Sequence, residues 1–258
     1  MSYKQKNGLF IEKSAIDAAG RTYFPDAKLI KGRGFDILHS EHEGMEYHTV
    51  IAGEIWEWDL GRKLSLGNLC GEIVSRYLKK HGLGASSRIL FVGFGNPDIV
   101  PDSLGYAISK LVSPTSGLDG IHTVYSFPTL VSEMTGFETS SLVRSLKELS
   151  RADVVICADS LTARTRERLQ SVIQISDIGI RPGSAAHKSA GEISRDTMGV
   201  PVISVGVPMA IYEDKLSDYS TACELLTRAE CDVICDTYAT VIAHGLRSAF
   251  LGKYSDET

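Results

Sequence analysis

Residues 88–105 of this chain read RILFVGFGNPDIVPDSLG, and this stretch decides the fold. Its first part is a short apolar run that ends in glycine, which is typical of a strand buried on both faces. Residues 102–112 then predict a helix, with Pro101 and Asp102 at its head. The chain therefore contains a strand–helix unit whose connecting loop is rich in glycine and polar residues.

The same alternation continues toward the carboxyl end. Strands are predicted at residues 122–127, 154–158, 172–176 and 200–205, and helices at residues 139–149, 213–227 and 232–251. Alternating strands and helices indicate an α/β fold, with a mostly parallel sheet and helices on both faces.

The sequence before residue 86 is less regular. Residues 66–81 predict a helix, residues 48–59 a strand or hairpin, and residues 1–47 a polar, irregular arm. We therefore divide the chain into an N-terminal arm with appended elements, residues 1–85, and a catalytic α/β domain, residues 86–258.

Composition and charge exclude several classes of protein. Of the 258 residues, 43% are hydrophobic and 23% are charged, which permits a packed core, and the formal charge is -5. We find no Lys/Arg cluster of the kind that binds nucleic acid, no apolar run long enough for a membrane helix and no signal-peptide core. The five cysteines form no CxxC pair, which favours free thiols in a reducing cytoplasm. We expect a cytoplasmic protein without nucleic-acid or membrane partners.

Three polar segments follow predicted strands, where the functional groups of parallel sheets gather. They are residues 93–105, 159–164 and 176–188. The first does not fit the dinucleotide fingerprint, because Asp98 occupies the place of the third glycine. Ser160 and Ser184 lack the G-x-S-x-G elbow of serine hydrolases. Residues 39–43, HSEHE, lack the HExxH spacing of zinc peptidases, and we interpret them as a solvated stretch.

Two aspartates are the strongest candidates for catalysis. Asp102 heads a predicted helix, and Asp159 directly follows the buried run VVICA. Alone, Asp102 has an ordinary role as a helix cap, and Asp159 as a turn cap or as the ion-pair partner of Arg164. Together, at the ends of two parallel strands, the carboxylates can share one crevice. With separated pKa values they can activate water and protonate the leaving amine of a peptide. Alternatively, they can hold a metal whose bound water attacks; otherwise no cofactor is expected.

The third segment supplies candidates for substrate binding. Asp177 follows a predicted strand, and Pro182 and Gly183 form a turn whose backbone N–H groups can cradle an oxyanion or a peptide carbonyl. His187 is a ligand, a base or, as we favour, a solvated loop histidine.

Several of these motifs belong together in one family. The stretches VGFGNPDIVPDSLGYAIS, MTGFETSSLV, DVVICADSLTARTRERLQSVIQISDIGIRPGS and GVPVISVGVP occur in this order between residues 91 and 208. In this region the chain resembles the germination proteases of spore-forming bacteria. The family's glycine–asparagine strand end falls on Asn96, and its acidic pair falls on Asp102 and Asp159.

The resemblance implies an endopeptidase that starts the degradation of small acid-soluble spore proteins at germination. It also implies a homotetramer made as a zymogen. The expected fold is phosphorylase/hydrolase-like, similar to the hydrogenase maturation endopeptidases, in which similar acidic positions hold nickel. Two other hypotheses stay open: a metal-assisted maturation endopeptidase with another protein partner, and a non-catalytic relative that binds peptides.

Overall fold

The computed structural model describes residues 27–32, 34–42, 44–84, 86–115, 121–182, 191–213 and 224–252. The strands are β1 (Lys28–Gly32), β2 (Phe35–His42), β3 (Met45–Ile51), β4 (Arg88–Gly93), β5 (Thr123–Pro128), β6 (Val154–Ala163), β7 (Val172–Ser176), β8 (Val202–Glu213) and β9 (Glu224–Leu226). The helices are α1 (Leu60–Lys80), α2 (Leu104–Leu111), α3 (Ser132–Thr135), α4 (Thr139–Ser150), α5 (Arg195–Met198) and α6 (Cys231–Phe250).

The strands of these residues form one sheet in the order β1-β2-β3-β7-β8-β6-β4-β5, and β9 pairs with the end of β8. The pairings of β4 with β5, β4 with β6 and β6 with β8 are parallel. The others are antiparallel, including those of β7 with β3 and with β8. The predicted α/β class is confirmed, and its parallel part is the block β8-β6-β4-β5.

Both faces of the sheet are covered, as the near-continuous apolar sequence of β4 predicts. Ile89 and Phe91 pack into a cluster with residues of α1, α2 and α6. Leu90 and Val92 point the other way and pack against Val143 of α4. A strand whose side chains are buried on both sides needs helices on both sides, so α1, α2 and α6 lie on one face and α4 on the other.

The two longest helices cross closely on their face of the sheet. A Cβ added to Gly245 of α6 would lie 2.1 Å from the carbonyl oxygen of Gly67 in α1. Only glycine permits this approach of the two backbones, so α1 and α6 form one tightly packed layer. Across the described ranges, the search for helices of sufficient length and hydropathy to span a bilayer found none.

The N-terminal region differs from its prediction as an irregular arm. Within residues 1–47, the described part forms β1, β2 and the start of β3, an antiparallel meander that joins the sheet through β7. These strands mix polar and apolar residues, and apolar side chains such as Phe35, Ile37 and Val50 enter the core shared with α1 and α6. The division of the chain at residue 85 stays a prediction.

Two further predictions need correction. The strand predicted at residues 154–158 continues to Ala163, because β8 is long enough to pair with all of it; Asp159 therefore lies inside β6 and pairs with Gly206. The helix predicted at residues 213–227 is wrong for residues 224–226, which form β9. Residues 214–223 lie outside the described ranges.

Glycines allow the backbone at the end of β4 to lie directly against α2 and β6. A Cβ added to Gly93 would lie 1.9 Å from the carbonyl oxygen of Gly105, and one added to Gly105 would lie 2.1 Å from that of Ala158. Gly95 has a φ of +128°, and its added Cβ would meet the carbonyl oxygen of Asp102 at 1.8 Å. The backbones of β4, α2 and β6 therefore meet without intervening side chains.

We expect Gly105→Ala to lower the free energy of unfolding by at least about 2 kcal/mol, because its Cβ would overlap backbone atoms that cannot rotate away. Gly84→Ala is the matched control, since a Cβ there meets nothing within 4 Å, and we expect a change within about 0.5 kcal/mol. Urea unfolding followed by circular dichroism measures both. Equal stabilities of the two variants would contradict the close packing.

Candidate active site

Asp102 lies in the loop between β4 and α2. It ends a short 3-10 turn, Val100–Asp102, and is partly buried. Its Oδ2 accepts a hydrogen bond from the backbone N–H of Asn96 at 2.9 Å. The helix cap is the next residue, Ser103, whose side chain makes no capping hydrogen bond. The carboxylate of Asp102 therefore closes its own loop instead of capping α2.

Asp159 lies within β6 and is only 4% exposed. Its Oδ1 accepts a hydrogen bond from the backbone N–H of Ser160 at 2.8 Å. The backbone pairing with β8 fixes the strand on one side, and β4 pairs with β6 up to Ala158 on the other. Because β4 ends one residue earlier, Asp159 lies where the β4–α2 loop passes over β6.

Backbone hydrogen bonds bring the two aspartates to one place. The N–H of Phe94 donates to the carbonyl oxygen of Ala158 at 2.8 Å. The N–H of Leu104, at the start of α2, donates to Oγ of Ser160 at 3.2 Å. Ser160, which follows Asp159 in β6, thus binds the start of α2, directly after the loop that carries Asp102. The sequence analysis did not predict this role. The position of Ser160 directly after Asp159, as a hydroxyl group at the end of an apolar run, was the available signal.

The surroundings of the aspartate pair shift the pKa of Asp159. Burial raises the pKa of Asp159 well above its ordinary value, and the negative charge of Asp102 raises it further. The hydrogen bond from the Ser160 N–H lowers this pKa but does not offset the other two causes. Burial and the charge of Asp102 therefore favour the protonated form of Asp159. An acid and a base at one site can divide the proton transfers that hydrolysis of an amide needs.

Among the supporting residues, Asn96 belongs to the site. Its backbone N–H binds Asp102, and its side-chain Oδ1 accepts a hydrogen bond from the N–H of Asp98 at 2.9 Å. Arg164, another residue predicted to support the site or bind substrate, is exposed and follows the last residue of β6. Five residues of extended strand separate its Cα atom from that of Asp159 by roughly 16 Å, which is too far for the ion pair considered as an ordinary role of Asp159. The role of Arg164 in binding substrate stays a prediction.

Asp177 belongs to a different part of the molecule. It follows β7, which runs antiparallel to β8, so it emerges away from the aspartate pair. Its carboxylate lies 2.7 Å from Nζ of Lys80 and 3.1 Å from Nε2 of His81, and it accepts the N–H of Glu46 at 2.6 Å. Burial opposes the charge, but the hydrogen bonds from His81, Lys80 and the Glu46 N–H leave the pKa of Asp177 below its ordinary value.

The remaining two candidates, Gly183 and His187, lie outside the described residues. Their predicted roles in binding substrate stay predictions.

Comparison with known proteins identifies the family that this chain matches. Residues 38–222 match the family model described as germination protease. The germination protease of Bacillus subtilis is 36% identical over 183 residues, which cover 67% of this chain and 50% of that protein. That of Bacillus velezensis is 32% identical over 223 residues, covering 81% and 57%. The chain thus spans about half the length of the curated relatives it matches.

Among solved structures, a NiFe hydrogenase maturation protease, HycI, from Thermococcus kodakarensis is similar with a TM-score of 0.37 and 13% identity. The match covers 67% of this chain and 98% of that chain. At this TM-score the likeness carries no argument about the site.

The raised pKa of Asp159 predicts that Asp159→Asn stabilises the fold at neutral pH. Between the ordinary pKa of an aspartate and the raised one, the folded chain holds a proton that the unfolded chain has released. The free energy of unfolding therefore falls as pH rises through this range. An amide cannot ionise, so at pH 7 we expect the variant to be more stable by about 1–3 kcal/mol, with the difference closing toward about pH 4.

Asp153→Asn is the matched control with the opposite sign. The side-chain hydrogen bond from Arg88 lowers the pKa of Asp153. The ionised form therefore stabilises the fold above the ordinary pKa of an aspartate, and this stability is lost as pH falls through the lowered one. We expect Asp153→Asn to be destabilised at neutral pH. Urea unfolding of both variants from pH 4 to 8 tests the pair, and equal pH dependence of Asp159→Asn and the unaltered protein would refute the assignment.

Proposed function

The chain belongs to the germination protease family, and on this premise we propose that it is an endopeptidase of spore proteins whose catalytic groups are Asp102 and Asp159. One observation carries the assignment of the site: the carboxyl group of Asp159 is only 4% exposed and lies close enough to Asp102 for that charge to raise its pKa. A carboxylate and a carboxylic acid at one site form a base and an acid for peptide hydrolysis.

The proposed reaction needs no covalent intermediate. The Asp102 carboxylate takes a proton from a water molecule as the water oxygen attacks the carbonyl carbon of the peptide. The carboxylic acid of Asp159 donates its proton to the amide nitrogen as the carbon–nitrogen bond breaks. One water is consumed, and the products are a carboxyl group and an amine. Asp102 then releases the proton it gained, and Asp159 takes up a proton through solvent, which restores the starting state.

The surroundings of Asp102 suit a polypeptide substrate. Ile99 and Val100, directly before it in the loop, are 49% and 38% exposed. Exposed apolar side chains beside a polar catalytic pair can hold the side chains of an extended peptide. The family supports small acid-soluble spore proteins as the substrate, and we propose them as the protein partner of this site.

A metal-assisted reaction is the alternative for the same pair. A cation between two carboxylates requires both to be ionised and itself favours that form. Asp102 and Asp159 would hold such an ion, and its bound water would attack the peptide. We propose the reaction without a metal, and chelation tests the choice.

Assembly and location are proposed from the family resemblance. We expect a homotetramer that is made as a zymogen and works in the cytoplasm, in the spore core where the source forms spores. Light scattering of the purified chain measures its assembly, and a mass equal to one chain at working concentration would contradict the tetramer.

We expect Asp102→Asn and Asp159→Asn each to lower the rate of cleavage of a purified small acid-soluble spore protein by at least about 100-fold, because each removes one half of the proton chemistry. The matched control is Asp98→Asn, an exposed acid in the same loop, for which we expect nearly full activity. Gel electrophoresis follows the cleavage, and mass spectrometry identifies the new termini.

The same assay separates the alternative functions. Dialysis against EDTA should leave the rate unchanged, and a loss that added Zn²⁺ or Ni²⁺ restores would favour the metal-assisted peptidase. Cleavage by both asparagine variants at the rate of the unaltered protein would overturn the aspartate mechanism. Stoichiometric binding of the spore protein without any cleavage would favour a non-catalytic peptide-binding relative.

A further inference from the structure

A second polar cluster lies on the antiparallel side of the sheet, away from the aspartate pair. His39 of β2 and His48 of β3 are direct cross-strand partners, and Glu46 precedes His48 by two residues on β3. Residues opposite each other, and residues two apart on one strand, share a face. The three side chains therefore converge under α1, and one ligand atom from each lies within 4.8 Å of the others.

The spacing of these atoms is compatible with ligands of one ion. Nε2 of His39 lies 3.1 Å from Oε2 of Glu46. Two ligands of a tetrahedral zinc ion lie roughly 3.3 Å apart, given Zn–N and Zn–O distances of about 2.0–2.1 Å. His39, which the sequence analysis placed in a solvated stretch, has a side chain only 18% exposed, and that of Glu46 is 12% exposed.

Tyr77 of α1 orients His48 in the way that metal-binding histidines are usually oriented. Nδ1 of His48 lies 2.6 Å from the Tyr77 hydroxyl group, which in turn donates to the carbonyl oxygen of Ile175 at 3.3 Å. The Tyr77 hydroxyl group has one proton to donate to these two neighbours. Where it donates to Ile175, Nδ1 of His48 carries a proton and donates to Tyr77, and the lone pair of His48 is on Nε2. A polar partner behind a ligating imidazole is the common second support of such sites.

We propose that His39, Glu46 and His48 form a binding site for one divalent transition-metal ion of the zinc class, with water as the fourth ligand. Two imidazoles and one carboxylate suit Zn²⁺, and Co²⁺ or Ni²⁺ can substitute for it. The site joins β2 and β3, so the ion fixes this hairpin beneath α1.

Two basic residues compete for Glu46, and the geometry shows how an ion replaces one of them. Arg76 binds Oε2 of Glu46, the oxygen nearest His39, whereas Lys80 lies 3.2 Å from the other oxygen, Oε1. The Arg76 side chain is 53% exposed and can turn into solvent. Lys80 can stay between Oε1 and Asp177, which it contacts at 2.7 Å. Metal binding thus exchanges Arg76 for the ion at Oε2.

This site is separate from the aspartate pair and does not depend on the proposed function. His48 pairs with Ile175, which pairs with Val205, which pairs with Ala158. Three strand spacings therefore separate the Cα of His48 from that of Ala158 by roughly 14 Å. The ion would be structural, and removing it should leave the Asp102 and Asp159 chemistry in place.

Isothermal titration of the whole, metal-stripped chain with Zn²⁺ tests the proposal, together with absorption spectra of the Co²⁺ form. We expect one Zn²⁺ per chain. His48→Gln and Glu46→Gln should each weaken the binding more than about 100-fold, and Tyr77→Phe by about 10-fold or more, because a lost second support typically costs 10- to 100-fold. Arg76→Gln should bind more tightly than the unaltered chain, since the competing cation is gone.

His244→Gln is the matched control, because His244 lies on α6 and bonds to Asn68 outside the cluster. We expect its affinity to equal that of the unaltered chain. Circular dichroism verifies folding; if His48→Gln fails to fold, Tyr77→Phe and Arg76→Gln carry the test, with opposite changes expected. Absence of saturable binding, unchanged affinity in both of those variants, or a cobalt–thiolate charge-transfer band that reports ligation by cysteine would each overturn the site.

Discussion

The contact of three backbones at Gly93, Gly105 and Ala158 is the constraint on which the site depends. Side chains there would push α2 away from the ends of β4 and β6, since the closest approaches are shorter than a Cβ permits. With the backbones in contact, the loop that carries Asp102 passes directly over the residue after Ala158. Glycines thus let the three backbones touch, and the side chains of Asp102 and Asp159 lie where these backbones meet.

A buried carboxyl group at this contact has a thermodynamic cost. Asp159 receives one backbone hydrogen bond at Oδ1 and lies near another acid, whereas Asp177, equally buried, is matched by Lys80 and His81. The same residue type is thus held protonated in one place and ionised in the other. Structural acids acquire cationic partners. A buried acid with no cationic partner recorded among the described residues, lying beside a second carboxylate, is a reasonable marker of chemistry.

The sequence predicts the parts of the fold whose signals are local. Residues 88–95 and 154–158 are short apolar runs bounded by glycine or polar residues, and their length and β-branched residues favour strands buried on both faces. Local signals also locate Asp102 and Asp159, because each follows such a run or its connecting loop. The length of β6 cannot be predicted from its own sequence, because it depends on pairing with β8, whose residues lie nearly fifty positions later.

Long-range partners account for the other differences. β2 has a weak strand signal, because two adjacent apolar residues are followed by four polar ones. Its place in the sheet depends on distant residues, since β3 joins the rest of the sheet through β7. The local sequence makes Asp177 a candidate for the active site, because it does not show the ion-pair partners. These partners, Lys80 and His81, come from the end of a helix almost a hundred residues earlier. Sequence patterns identify strands and acids, but charges brought together by folding decide which acids are structural.

The pairing of β3 with β7 has a consequence for the order of events on the ribosome. Val172, the partner of Ile51, is made about 120 residues after it, which at 5–20 residues per second is roughly 6–24 seconds. Throughout that interval the hairpin of β2 and β3 has one row of backbone donors and acceptors without its native neighbour. Such an open row accepts any extended chain, including the same hairpin on a neighbouring nascent chain. The time taken to translate the intervening α/β segment therefore sets how long each new molecule is exposed to mispairing.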